Sequence, residues 1–325
     1  MEILKSGSIL KALFIGTDDV FLAIRNIIPT NYDLRHETSL EAFLKNPSSI
    51  QVIIDSSIKE VIDLNLLALQ NVRIVASAST GTNHIISHSS KECKLTVFSL
   101  RDIPDVLNEL TSAAEFSFGV LLSLARNITA AANSVDSGYW NRSNFPGVVI
   151  NKKSLGIIGM GRIGQAMAKY AESFGMKINY YDPFKSGVKN YEQFSSLEEL
   201  VGVSDFISLH APYTPSNKQI PIITKAIFRG FKIGSFFINT SRGELIDEAG
   251  LIFALQEGII KGAAIDVIQG EPEIRQNILY KYKQSEQANI IFTPHIAGYS
   301  PENVKRATIG MLNFLVKNVE KNLIP

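Results

Sequence analysis

The sequence predicts an α/β protein of two doubly wound parallel sheets, and three observations carry that prediction. Short β-branched runs alternate with helical segments from end to end, the pattern of parallel strands joined by helical crossovers. The chain, at 325 residues, is too long for one ordinary core and suits two domains. The cluster Gly159-Met160-Gly161-Arg162-Ile163-Gly164 follows the apolar run Leu155-Gly156-Ile157-Ile158 and opens an amphipathic helix expected over 163–174. Strand, tight glycine turn and helix in that order mark a Rossmann-like unit.

Taken in order, Ala12–Ile15, Gln51–Ile54, Arg73–Ala76 and Leu95–Phe98 are expected as strands, short, mostly apolar and so buried on both faces. Leu107, Leu110, Ala114, Phe118, Leu121, Leu122 and Ala125 recur at helical spacing and predict one long helix over 105–133, with Asp105 as its cap. So extended a helix is expected to cross between domains or to pack on a second copy of the chain, which makes a homodimer the expected assembly. A loop from Gly138-Tyr139-Trp140 to Phe145-Pro146-Gly147 leads into the glycine turn. Beyond it, Lys177–Tyr181 and runs at 205–210, 235–239, 262–267 and 289–292 continue the same sheet. Helix starts carry chemical marks: Ser196 with Glu199 as a capping box, Asp247 before Leu251–Gln256, and Ser300-Pro301-Glu302 ahead of a closing helix to Leu323.

Composition removes several function classes. Lys+Arg of 32 against Asp+Glu of 31 leaves a charge of +1, without the basic excess a nucleic-acid partner calls for. Cys93 is the lone cysteine, so neither an internal disulfide nor a cysteine-based zinc cluster is expected, in keeping with a reducing cytoplasm. No apolar run approaches the ~20 residues of a membrane helix, and residues 1–10 do not resemble a signal peptide.

The glycine turn points to a dinucleotide. Its first glycine takes a dihedral that other residues resist, its second lets a pyrophosphate approach the backbone, and its third lets helix and strand pack closely. The helix N-terminus adds amide donors and a positive dipole end. Asp182, closing the next strand, would accept hydrogen bonds from an adenosine ribose and repel a 2′-phosphate, so NAD is expected over NADP.

Three ionisable residues follow three later strands: Arg242 in Asn239-Thr240-Ser241-Arg242-Gly243, Glu271 in Gly270-Glu271-Pro272, and His295 in Thr293-Pro294-His295-Ile296-Ala297-Gly298. Ligands of open parallel sheets bind beyond the carboxyl ends of the strands, where these residues stand. Hydride transfer between a hydroxyl carbon and nicotinamide needs one group to exchange the hydroxyl proton and another to hold and polarise the substrate. An imidazole beside a carboxylate such as Glu271 suits the first task, and the rigid fork of Arg242 suits the second.

The segments 155–164, 239–247, 262–272 and 293–298 resemble those of the D-isomer-specific 2-hydroxyacid dehydrogenase family, NAD(P)-dependent enzymes that interconvert 2-hydroxy and 2-oxo acids. That resemblance implies that Arg242 binds the substrate, His295 is the acid/base and Glu271 pairs with it. It implies that Gly159, Gly161, Arg162, Ile163, Gly164, Asp182, Thr240, Ser241 and Asp266 meet the cofactor, with Asp266 near the nicotinamide amide. Ser79-Thr80-Gly81-Thr82-Asn83 resembles the family's substrate loop, whose amides meet the carboxylate. The family further implies a substrate domain over 1–104 and 299–325, an NAD-binding domain over 105–298, and a cleft between them that closes over ligand.

Within the family, a reductase of a small 2-oxo acid such as glyoxylate or hydroxypyruvate is the leading expectation. Phosphoglycerate or another sugar acid is the alternative, although Asp55-Ser56-Ser57-Ile58-Lys59 offers only Lys59 where phosphoglycerate dehydrogenases place arginines. Formate dehydrogenases of the superfamily carry glutamine where Glu271 stands. An NAD-sensing, corepressor-like binding protein is the alternative from another class.

Overall fold

The computed structural model describes residues 10–45, 50–56, 62–63, 67, 72–81, 84–86, 95–189, 191–213, 221–286 and 288–320. Lys59, Thr82, Asn83 and Cys93, and the ends of the chain at 1–9 and 321–325, lie outside the described residues. The chain divides into two compact units, Met1–Leu110 with Ser300–Pro325, and Thr111–Tyr299.

The first unit is built on strands β1 (Leu10–Ile15), β2 (Tyr32–Glu37), β3 (Val52–Asp55), β5 (Ile74–Ser77) and β7 (Thr96–Phe98), in the order β2-β1-β3-β5-β7, all parallel. Short β4 (Ile62–Asp63) and β6 (Ile85–Ile86) pair separately. Its sheet is doubly wound, as alternate side chains show. Ala12, Phe14, Val52, Ile54, Ile74 and Ala76 face one core with Ala307, Met311, Leu312 and Leu315 of the helix Pro301–Glu320. Leu13, Ile15, Ile53 and Val75 face the other with Leu40 and Phe43 of the helix Leu40–Lys45. Burying both faces requires near-continuous apolar strands, which is why β1, β3 and β5 were legible as short apolar runs.

The second unit holds β8 (Ser154–Ile158), β9 (Lys177–Tyr181), β10 (Glu192–Gln193), β11 (Phe206–Leu209), β12 (Ser235–Asn239), β13 (Ile260–Ile265) and β14 (Ile290–Phe292). They form a parallel sheet in the order β10-β9-β8-β11-β12-β13-β14. The chain reverses its direction of growth between β8 and β11, and the crevice at such a switch point is where open α/β sheets take ligands. Leu155, Ile157, Ile178, Tyr180, Phe206, Phe236 and Ile238 face a core with Leu121 and Leu124 of the helix Ser112–Arg126 and Met167 and Ala168 of the helix Arg162–Ser173. Ile158, Ile207, Leu209, Phe237 and Ile265 face the opposite core with Leu200, Phe228, Leu251 and Leu279.

Two expectations fail. Instead of one helix over 105–133 there are three: Pro104–Asn108, Ser112–Arg126 and Ile128–Asp136. The second break sits at Asn127, which adopts a left-handed conformation (φ 54°, ψ 31°), anchored by its Nδ2 donating to the Pro146 carbonyl at 3.0 Å. Asparagine visits that region at little cost, so helical spacing of apolar residues on either side does not reveal the turn. The first helix is led by Pro104 in its first turn after Ile103, and Asp105 lies inside that turn rather than capping it. The caps at Ser196, Asp247 and Ser300 do form, accepting from Glu199, Gly250 and Asn303 amides at 3.2, 3.0 and 3.3 Å, each worth ~1 kcal/mol.

Candidate active site

The glycine turn leaves the carboxyl end of β8 with its three glycines in three different situations. Gly159 has φ +92°, and a Cβ there would stand 2.7 Å from the Ala211 amide and 2.8 Å from the His210 carbonyl carbon, against the chain leaving β11. A Cβ on Gly164 would collide with the Gly159 carbonyl oxygen, so the helix can close on the turn only without a side chain. At Gly161, the N-cap of the helix Arg162–Ser173, a Cβ would meet nothing within 4 Å. That open space borders the amide-rich, dipole-positive end of the helix, and it fits a pyrophosphate.

Asp182, just past β9, turns back onto this turn. Its Oδ2 accepts from the Met160 amide at 2.8 Å and its Oδ1 from the Phe184 amide at 2.9 Å. The carboxylate is thus fixed beside the glycine turn by backbone donors. Arg162 and Ile163 open the helix and are partly buried, and burial pulls the Arg162 guanidinium below its ordinary pKa. Thr240 and Ser241 follow β12: Thr240 Oγ1 lies 2.7 Å from Ser117 Oγ, and Ser241 Oγ donates to the Ala211 carbonyl at 2.6 Å. Ser241 therefore ties the exit of β12 to the exit of β11.

The three ionisable residues come together. His295 Nδ1 and Glu271 Oε2 are 2.7 Å apart, and Glu271 Oε1 accepts from the Ile268 amide at 3.0 Å. Burial by itself would raise the Glu271 carboxyl, but the His295 hydrogen bond and charge, the Ile268 amide and the charge of Arg242 hold it below its usual value. Arg242 donates from Nη1 to the Ser241 carbonyl at 2.7 Å. The residue after it explains how β12 and β13 deliver their groups to one place: a Cβ on Gly243 would collide with the Ile268 carbonyl, so the Arg242 turn lies directly on the backbone leading to Glu271. The Glu271–Pro272 peptide bond is cis. His295 itself has φ 54°, a left-handed conformation that costs on the order of 1–3 kcal/mol and persists only where the surroundings impose it.

Asp266 imposes it. Only 3% exposed, its Oδ1 accepts from Thr293 Oγ1 at 2.6 Å and the Ile296 amide at 3.0 Å, its Oδ2 accepts from the Ala297 amide at 2.9 Å, and its carbonyl accepts from the His295 amide at 2.9 Å. The observed partners of this carboxylate are thus the residues flanking His295. In the first unit, Ser79 follows β5; it is buried, with its Oγ donating to the Gly81 carbonyl at 2.6 Å, and Thr80 and Gly81 are half-buried.

Two residues that the sequence did not single out belong to this description. Glu248, buried in the first turn of the helix Glu248–Gln256, accepts from the Gln269 amide and from Asn277 Nδ2, bracing the loop that carries Glu271. An acid in a first helical turn is ordinarily a dipole partner, so no sequence signal marks it. His210 follows β11 beside Gly159, with its Nε2 2.8 Å from Ser208 Oγ, and burial pushes its imidazole down to about 4. A histidine at the end of a strand next to the switch point was the signal available.

Known proteins decide the family. Residues 118–297 match the family described as D-isomer specific 2-hydroxyacid dehydrogenase, NAD binding domain. The chain belongs to that family. Its nucleotide is accordingly NAD. The hydroxypyruvate reductase of Thermotoga maritima is 34% identical over 82% of this chain and 84% of that protein. The glyoxylate reductase of Thermococcus litoralis is 36% identical over 76% and 73%. A D-3-phosphoglycerate dehydrogenase from Methanocaldococcus jannaschii is 34% identical over 77% of this chain, a stretch spanning 46% of that relative's own length. Among solved structures, apo D-lactate dehydrogenase from Escherichia coli superposes with a TM-score of 0.79 at 26% identity, covering 96% of this chain and 97% of that one. Among the described residues of this family member, no helix is long and apolar enough to cross a membrane, and no group of three His, Cys, Asp or Glu side chains could hold a metal.

Proposed function

We propose that the chain reduces a small 2-oxo acid of the glyoxylate or hydroxypyruvate kind to the D-2-hydroxy acid, with Arg242, Glu271 and His295 as its catalytic residues. The observation that carries this reading is the 2.7 Å contact of His295 Nδ1 with Glu271, on a carboxylate that also feels the charge of Arg242. The cofactor is held by Gly159, Gly161, Gly164, Arg162, Ile163, Thr240, Ser241 and Asp266, with Asp182 on its ribose. NADH, when bound, supplies a hydride to the 2-oxo carbon. Arg242 binds the substrate carboxylate and polarises the carbonyl through charge-assisted hydrogen bonds. Glu271 fixes the proton on His295 Nδ1, so that Nε2 is the atom that hands a proton to the developing alkoxide; in the reverse direction Nε2 takes it back. Ser79, Thr80 and Gly81 receive the substrate carboxylate on backbone amides.

In Arg242→Ala and His295→Ala, NADH binding measured by fluorescence titration stays near the parent value while turnover collapses by about 10²–10⁴-fold. Near-normal turnover in both would refute the assignment. The phosphoglycerate dehydrogenases among the relatives favour a second reading, a phosphorylated hydroxy acid. A substrate panel separates the two, because removal of the phosphate group lowers kcat/KM only under the second.

The same reading makes the protein a cytoplasmic homodimer. Supporting the dimer, Ile128, Val135, Tyr139, Trp140 and Val149 are large apolar side chains left exposed along one stretch, Trp140 at 90%. Light scattering of the purified chain gives twice the 35.8 kDa mass if this holds and the single-chain mass if it does not. Supporting the compartment is the lone cysteine, and cell fractionation tests it.

A further inference from the structure

The turn that carries Arg242 is shaped by the residue at its start. Asn239 is the last residue of β12 and is 0% exposed. Its Oδ1 accepts from the Ser241 amide at 3.0 Å, and its Nδ2 donates to the Arg242 carbonyl at 3.0 Å. These partners fix which way the carboxamide faces, because an amide N–H can only donate and a carbonyl can only accept. The peptide between the two contacts receives the guanidinium: Arg242 Nη1 donates to the Ser241 carbonyl at 2.7 Å. The direction of the fork is thus tied to a carbonyl that Asn239 brackets on both sides. Each of the three bonds has its own proton, on the Ser241 amide, on Nδ2 and on Nη1.

Through its backbone Asn239 also reaches the other branch of the site. Its carbonyl accepts from the Asp266 amide at 3.0 Å, and the Asp266 carbonyl accepts from the His295 amide at 2.9 Å. The register that sets Asn239 opposite Ile265 brings these groups together. Side chain and main chain of one residue therefore serve different groups, the first Arg242 and the second His295. An alanine in its place keeps the second link and deprives the Ser241 amide and the Arg242 carbonyl of these partners.

We propose that Asn239 is a positioning residue for the reaction: its carboxamide holds the turn in the shape that aims the Arg242 fork at the substrate. The proposal rests on the reading that Arg242 binds the substrate carboxylate and polarises its carbonyl. A fork aimed wrongly loses both tasks, so KM rises and kcat falls together, and a displacement of about 1 Å suffices for a loss on the order of 10²-fold. On the same reading NADH is held at several other points, the glycine turn and Asp182 among them, so its affinity depends far less on this turn.

The test is a double-mutant cycle read by steady-state kinetics with glyoxylate and by fluorescence titration of NADH. Asn239→Ala lowers kcat/KM about 30-fold in the parent background, with the NADH dissociation constant within about threefold of the parent's. In the Arg242→Lys background the same substitution costs less than about threefold, because a lysine ammonium has no fork to aim. Equal losses in the two backgrounds mark a general loss of folded enzyme and overturn the proposal. So does a kcat/KM within about threefold of the parent in Asn239→Ala alone, or an NADH constant that rises as steeply as KM. Arg242→Ala separates the proposal from the reading beneath it. If its turnover is near normal, the reading fails and takes the proposal with it; if its turnover collapses while Asn239→Ala loses nothing, the proposal alone fails. Should Asn239→Ala not fold, Asn239→Asp decides on the same readouts, since it keeps the shape and the Ser241 bond and replaces only the donor facing the Arg242 carbonyl. A loss of about tenfold confined to the parent background supports the proposal, and no loss or equal losses overturn it.

Discussion

Each unit carries a histidine paired with a carboxylate near the carboxyl ends of its parallel strands, and the two pairs differ chiefly in burial. His295–Glu271 is closer, at 2.7 Å, with side chains 42% and 35% exposed; His84–Asp55 is 3.0 Å apart, with side chains 13% and 1% exposed. The same two functional groups therefore serve different ends. The exposed imidazole can exchange its proton with a substrate while its carboxylate holds the other ring nitrogen. The buried pair has no such access, and its contacts lie inside the fold of the first unit. Its hydrogen bonds lie away from water, so breaking it leaves buried polar groups unsatisfied and costs more folding energy than breaking the exposed pair, which water and salt screen.

The largest effect that would sharpen this contrast belongs to the exposed pair. His295→Asn is expected to lower kcat by about 10³-fold, and Glu271→Gln by about 10²-fold, with thermal midpoints near the parent's. Similar losses in stability would erase the distinction. Glu271 also sets an acid limit. Its folded pKa lies below the ordinary glutamate value, so its contribution is fully present above that value and is lost as pH falls through the lower folded one. A kcat/KM profile of the parent should therefore hold through the ordinary glutamate range, and an acid limb above that range would contradict the pairing.

A smaller effect separates the nucleotide end of the second unit from its catalytic end. Asp182→Ala is expected to raise KM for NADH and to improve use of NADPH, changing their ratio by about tenfold while the rate at saturating cofactor is retained. An unchanged ratio would remove Asp182 from the ribose. The smallest effect concerns His210. Its folded pKa of about 4 lies below the unfolded value of about 6.5, so the unfolded chain binds the proton first and stability declines as pH falls across that window. In His210→Asn the decline between pH 6.5 and 4 should be shallower, as read by urea midpoints; an identical slope would show that His210 does not carry it.

How much of this the sequence showed also depends on burial. Central strands such as Phe236–Ile238 are apolar on both faces and stand out, whereas β2, with Asp33, Arg35, His36 and Glu37 on a sheet edge, resembles a loop. The grouping of Arg242, Glu271 and His295 was legible because each follows a recognisable strand. Asp55 closes a strand, yet its partners Ser77 and His84 are unremarkable in the sequence until β3 and β5 are paired side by side. The long-helix expectation failed for a related reason: the αL turn at Asn127 is a property of one residue's backbone, invisible to spacing.

The most direct test places Glu271→Gln and Asp55→Asn side by side, reading kcat for glyoxylate at saturating NADH and the thermal midpoint on the same preparations. Glu271→Gln should lose about 10²-fold in kcat with stability changed by less than about 1 kcal/mol, and Asp55→Asn should keep kcat within about threefold while losing about 3 kcal/mol. The reverse pattern, or two variants that behave alike, would contradict the division of labour between the two pairs.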